Sequence, residues 1–323
     1  MPTPVTVYRW DDVGAPQLNT GKPSEIINVL KKCLVEGYGS KLPLDWSIVF
    51  EDNVTQKIVF QNKVAAGGSG GMVRFRSNTA TDANYTVMRF VAAKNFADID
   101  NPFQPGYEQA FRQESVNQKG WVIIGTAKAF YFMICLLPSL TANGSKMGSS
   151  GFYNSNIFVG DFESFIPSDS GRFISTNNTS SSNDNTGLFA TLDNESPQNS
   201  SILLMRTDGG AFSLAHRLFN PFGIAQFPSS TELLPKVMAP ICIVVSGAAI
   251  GSNVSDTNGG TVNGSLLFPW LRGRMPGMYI GDFVGYQNTN WPVTRMIDGK
   301  QMWLVKSHWT YGCSTWIDLE SWE

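Results

Sequence analysis

The clearest hydrophobic rhythm in the chain lies near its start. From Pro23 and Ser24 onward, Ile26, Leu30, Cys33 and Leu34 recur at i, i+4, i+7 and i+8, while Lys31, Lys32 and Glu36 fall mostly off that stripe. Pro23 stands where a missing N–H costs nothing, and Glu25 puts a negative charge in the first turn, where the helix dipole favours it. Gly37 and Gly39 supply the stop. The spacing predicts one amphipathic helix of about three turns.

Beyond Gly39 the rhythm changes. Short runs rich in Val, Ile, Phe, Tyr and Thr are broken by Gly, Pro, Asn, Asp and Ser, and each run reads as a strand. They are Trp46–Phe50, Lys57–Gln61, Met72–Arg76, Tyr85–Ala92, Trp121–Ile124, Ala129–Leu136, Ser201–Met205, Val237–Ser246, Ser265–Phe268, Met278–Val284 and Gln301–Ser307. Trp121–Leu140 is long enough to cross a bilayer, but Lys128 sits near its middle and Gly125-Thr126-Ala127-Lys128 divides it. The expected form is a buried hairpin, with no membrane span. Thr141–Asn156 and Ser175–Ser201 are polar, Gly/Ser/Asn-rich tracts of the kind that form surface loops. A boundary near Ala142–Ser150 follows, giving an N-terminal helix-plus-sheet domain over 1–145 and a C-terminal β-rich domain with long polar loops over 146–323. The expected fold class is mainly β with an N-terminal α-helix, in two sandwich-like β lobes. Phe158–Phe165 also echoes Tyr279–Tyr286, each with an aromatic-rich run around Gly-Asp, which is a turn signature as well as a trace of duplication.

Composition narrows the function. Charged residues are 15% of the 323 and aromatic residues 12%, against roughly a quarter charged in an average soluble protein. A formal net charge of −2 gives no general attraction to phosphate backbones, so a nucleic-acid partner is not expected. The hydrophobic share of 42% is enough to offset chain entropy in a globular fold. The opening residues lack a basic stretch followed by an apolar core, and so do not read as a signal peptide. Cys33, Cys135, Cys242 and Cys313 are scattered without a C-x-x-C pair or a histidine at ligand spacing. They read as reduced thiols rather than a zinc site or disulfide framework.

Several motifs invite catalytic readings. Gly67-Gly68-Ser69-Gly70-Gly71 satisfies G-x-S-x-G, but a nucleophile elbow leads into a helix, whereas Met72–Arg76 alternates like a strand; the expectation is a hairpin loop. Gly21-Lys22-Pro23 has proline where a P-loop needs a hydroxyl. His216 and His308 read as structural residues. Asp98/Asp100 and Asp161/Glu163 have the i, i+2 spacing that puts two carboxylates on one side of a strand, the raw material of a glycosidase. Asp98-Ile99-Asp100-Asn101-Pro102 also reads as a turn. Trp46, Trp121, Trp270, Trp291, Trp303, Trp309, Trp316 and Trp322 suit a core or an interface as well as a sugar platform. No catalytic, cofactor-binding or metal-binding residue is therefore assigned, and no cofactor is expected.

One run is more specific. Tyr8-Arg9-Trp10-Asp11-Asp12-Val13-Gly14-Ala15-Pro16-Gln17-Leu18, followed by Leu34-Val35-Glu36-Gly37-Tyr38-Gly39-Ser40-Lys41 and Trp46, resembles the start of a family of tailed-bacteriophage virion structural proteins. Arg89-Phe90 through Asp98-Ile99-Asp100, Gly120–Gly125, Phe130-Tyr131-Phe132, Gly160-Asp161-Phe162 and Arg272–Tyr279 resemble later landmarks of that family in the same order. Ser175–Ser201 and Ser252–Gly264 depart from its pattern as surface insertions. The resemblance implies a non-enzymatic structural subunit present in multiple copies, made in the host bacterial cytoplasm and located in the virion. The expected position is the tail or baseplate, with head decoration or neck as the alternative. A host-surface or glycan-binding module of the virion is the other reading. The implied partners are copies of itself, other virion structural proteins and, on that other reading, a host-surface glycan. Few charges and many aromatics suit such a subunit, because interface cores are depleted in charge and enriched in Tyr, Trp, Phe and Met.

Overall fold

The computed structural model describes residues 2–113, 119–136, 156–176, 202–210, 215–219, 237–245, 271–281, 293–308 and 313–323. Among these residues the fold is mostly β, with a single α-helix near the N-terminus. Three large antiparallel sheets carry it.

The first sheet runs Ser47–Asp52, Lys57–Gln61, Met72–Ser77, Met88–Phe96, Pro102–Pro105, and Gln109–Phe111 also pairs with Met88–Phe96. The middle sheet has the order Phe173–Thr176, Asn156–Asp161, Ala129–Leu136, Gly120–Gly125, Thr6–Arg9. The third has the order Ile202–Leu203, Ala215–Phe219, Met238–Val245, Leu271–Gly281, Cys313–Asp318, Lys300–His308, Thr294–Ile297, with Glu163–Ser164 added beside Leu271–Gly281. A short ladder joins Thr3–Pro4 to Ser321–Trp322.

The apolar runs are continuous because the middle sheet is buried on both faces, the condition under which strands lose their polar alternation. Trp121, Ile123, Phe130, Phe132, Ile134, Ile157, Val159 and Phe173 enter one core with the first sheet and the helix. Their alternating neighbours Val122, Ile124, Ala129, Tyr131, Met133, Phe158 and Ile174 enter a second core with the third sheet. Among the described residues the two large cores thus share a sheet. Residues 142–150, where composition suggested a boundary, lie outside the described residues; the strands on either side, Ala129–Leu136 and Asn156–Asp161, pair directly. Trp121–Ile124 and Ala129–Leu136 form the expected hairpin, and no helix among the described residues is long and apolar enough to cross a membrane.

The helix begins at Pro23 and runs to Lys31, then continues as a π-turn over Lys32–Glu36. Ile26, Leu30, Cys33 and Leu34 are all fully buried in the core to which the first and middle sheets contribute. The wider turn closes with the Gly37 N–H on the Lys32 carbonyl, and Gly37 has φ 79°, which suits glycine. The carbonyls of Cys33 and Leu34 accept the N–H groups of Leu44 and Trp46, so the helix end is satisfied by the chain entering the first sheet.

Candidate functional site

Two motifs that the sequence presented separately meet in space. The glycine loop Gly67–Gly71 packs over the end of Asn156–Asp161, and Ser69 donates its N–H and its hydroxyl to the Asp161 carboxylate at 2.7 and 2.5 Å. Asn62 Nδ2 donates to the same carboxylate at 2.9 Å, while Asn62 Oδ1 accepts the Gly70 N–H. Arg172 Nε stands 3.6 Å from it. Burial pushes the Asp161 carboxyl above its ordinary range, and the donors from Ser69 and Asn62 and the Arg172 charge only partly pull it back. Ser69 is therefore a ligand for a carboxylate on a loop, and no helix follows it, as an elbow would require.

Asp161 and Glu163 do not act as a pair. The chain leaves the middle sheet at Asp161 and joins the third sheet at Glu163, which lies opposite Arg274 in the ladder. Glu163 pairs with Arg274, which also pairs with Glu323, and accepts the Glu323 N–H at 3.2 Å. Burial raises the Glu163 carboxyl; Arg274 opposes this, and the nearby Glu323 charge adds to it. Below them, Arg272 and Asp169 form a bidentate ion pair at 2.7 and 2.8 Å with both side chains fully buried, and Ser164 Oγ donates to Asp169 as well. Residues 161–172 are thereby fastened to all three sheets.

Between these groups lies a cleft of about 280 Å³, lined by Gly67, Lys128, Arg172, Arg274, Glu323 and the segment 161–166. Phe165, at 48% exposure, stands at its rim. No local sequence motif marks Lys128, Arg172, Arg274 or Glu323 as site residues. The nearest signal is Arg272-Gly273-Arg274, where alternate positions of one strand send one arginine to a buried aspartate and the other to the cleft. Chemically the arrangement is a set of charge-assisted hydrogen bonds around carboxylates, next to an open polar recess.

The other candidates lie elsewhere. Asp98 caps its own turn, accepting the N–H groups of Asp100 and Asn101, and Asp100 pairs with Lys57. Gly21-Lys22 simply opens the helix, with Glu25 reaching back to the N–H groups of Asn19 and Thr20. Trp46, Trp121, Trp303, Trp316 and Trp322 are buried; Trp270, Trp291 and Trp309 lie outside the described residues. His216 and His308 belong to strands of the third sheet, and their side chains lie outside the described residues. Cys33 and Cys242 are free thiols. Among the described residues, no three or more His, Cys, Asp or Glu side chains converge as metal ligands would. No protein-family model matches the chain, and a search of curated proteins returns no match.

Proposed function

We propose that the chain is a non-enzymatic structural subunit of a tailed-bacteriophage virion, assembled in several copies and placed in the tail or baseplate. The observation that carries this reading is the way the run bearing the family resemblance is built. Tyr8 donates its hydroxyl to the Leu42 carbonyl, Asp12 accepts the Arg9 N–H and the Tyr38 hydroxyl, and Trp121 Nε1 donates to the Pro16 carbonyl. This network holds a turn that offers Val13 to solvent at 91% exposure, and the bonded loop offers Leu42 at 80%. Apolar side chains held outward on a fixed frame are suited to a neighbouring surface, since their ordering cost is met before association. The commitment of Asp161 and Glu163 to partners within the fold supports a structural rather than catalytic use of those residues.

The test is incorporation into particles. Purified virions should contain the chain in a fixed, multiple stoichiometry, and the double variant Val13→Asp/Leu42→Asp should fold normally yet enter particles at a level reduced about tenfold, the equivalent of roughly 1.4 kcal/mol at one interface. Particles that lack the chain, or that accept the folded double variant as well as the parent, would refute the assignment.

A further inference from the structure

The cleft keeps polar groups that its own network leaves unused. Asp161 and Glu163 are turned into their partners, with side chains only 5% and 11% exposed. The cations around them are less committed. Lys128 Nζ has no carboxylate partner among the described residues. Arg172 gives Nη2 to the Gly67 carbonyl with Nε 3.6 Å from Asp161, Arg274 gives Nε and Nη2 to Glu163 and Glu323, and among the described residues neither Nη1 has a partner. The lining balances three cations, Lys128, Arg172 and Arg274, against Asp161, Glu163 and Glu323. Asp161, however, is taken up by Ser69 and Asn62, and Arg274 is shared by Glu163 and Glu323. Lys128 and Arg172 therefore leave a local cationic edge for one anionic group, beside a mixed edge suited to hydroxyls. Its rim adds a flat apolar face. The Phe165 N–H is held by the Arg272 carbonyl and the Ile166 N–H by Ser164 Oγ, above the buried Arg272–Asp169 pair, so the ring stands on a fixed support.

We infer that this cleft is a carbohydrate subsite for one pyranose residue bearing a carboxylate. The C–H face of the ring stacks on Phe165, the carboxylate meets Lys128 and Arg172, and the hydroxyls meet the spare Arg274 donor and Glu323. The volume of about 280 Å³ suits a single sugar residue. A bare inorganic anion has no use for the aromatic rim, and a strongly acidic peptide meets the Glu323 charge. The subsite does not depend on the structural-subunit reading: virion incorporation and sugar binding are separate measurements, and either result can fail alone.

The experiment is a titration of the intact chain with methyl glucuronide and methyl galacturonide, followed by saturation-transfer NMR and calorimetry. Methyl glucoside serves as the uncharged control and a hexa-aspartate peptide as the competing class. One uronide should bind saturably in the millimolar range, about tenfold tighter than the glucoside. Phe165→Ala and Lys128→Ala should each weaken it by about tenfold; Phe165 is exposed and Lys128 partly exposed, so both variants should melt like the parent. No saturable uronide binding, equal binding by both variants and the parent, or binding of the peptide in place of the sugars would each overturn the inference.

Discussion

Three carboxylates show how the same side-chain chemistry takes opposite signs in different surroundings. Burial raises Asp161 and Glu163 above their ordinary values. Burial also acts upward on Glu108, but there Arg76, bidentate at 2.8 and 2.6 Å, and Arg74 at 3.1 Å outweigh it and leave the group below its usual 4.5. A raised carboxyl binds its proton more tightly in the folded chain than in the unfolded one, so stability falls as pH rises through the folded value. A lowered one does the reverse: its contribution is complete above the unfolded value and is lost as pH falls toward the folded one. Denaturant titrations across pH should therefore show the parent losing stability relative to Glu163→Gln as pH rises above 4.5. Relative to Glu108→Gln, the parent should lose stability as pH falls below 4.5. Differences that stay constant with pH would refute both assignments. Ser69, Asp161 and Glu163 were all visible in the sequence as chemistry-bearing residues. Their grouping was not, because Ser69 and Asp161 are 92 positions apart and only the packing of the first sheet against the middle one joins them.

At the scale of elements, local pattern worked where one rule applied and failed where two competed. The helix start, its buried stripe and its glycine stop followed the periodicity, and Lys57–Gln61, Met72–Ser77 and the hairpin at 120–136 followed β-rich runs between turn signals. The strand Leu271–Gly281 is different, since only its end, from Met278, was expected. Gly273, Pro276 and Gly277 argue against a strand, yet the register against Met238–Val245 jumps from Tyr279 opposite Pro240 to Arg274 opposite Cys242, and this bulge accommodates Pro276 and Gly277, while Gly273 pairs opposite Ile243 where a Cβ would meet the Glu163 carbonyl. Gly277 has φ 60° there, and an added Cβ would run into the Trp322 indole. Gly277→Ala should cost about 1–3 kcal/mol through backbone strain and overpacking, read from denaturant midpoints. An unchanged midpoint would mean that the Trp322 contact gives way freely.

For the whole molecule, the decisive feature is a middle sheet shared by two cores. Its amides should be the last to exchange with solvent: hydrogen exchange read by mass spectrometry should be slowest over 121–124, 129–134 and 157–159, and clearly faster in the outlying strands 102–105 and 294–297. Equal protection across all three sheets would contradict a shared central layer. By itself the sequence determined the β-rich class, the one amphipathic helix and the low-charge, aromatic character, because each is set by neighbours a few residues apart. Only the tertiary structure decided which face of each strand meets which sheet, that Asp161 and Glu163 serve different sheets, and that Lys128, Arg172, Arg274 and Phe165 share one cleft. Burial on both sides of a strand erases the polar alternation that would have announced its faces, and an ion pair between residues far apart in the chain leaves no trace in the local order of amino acids.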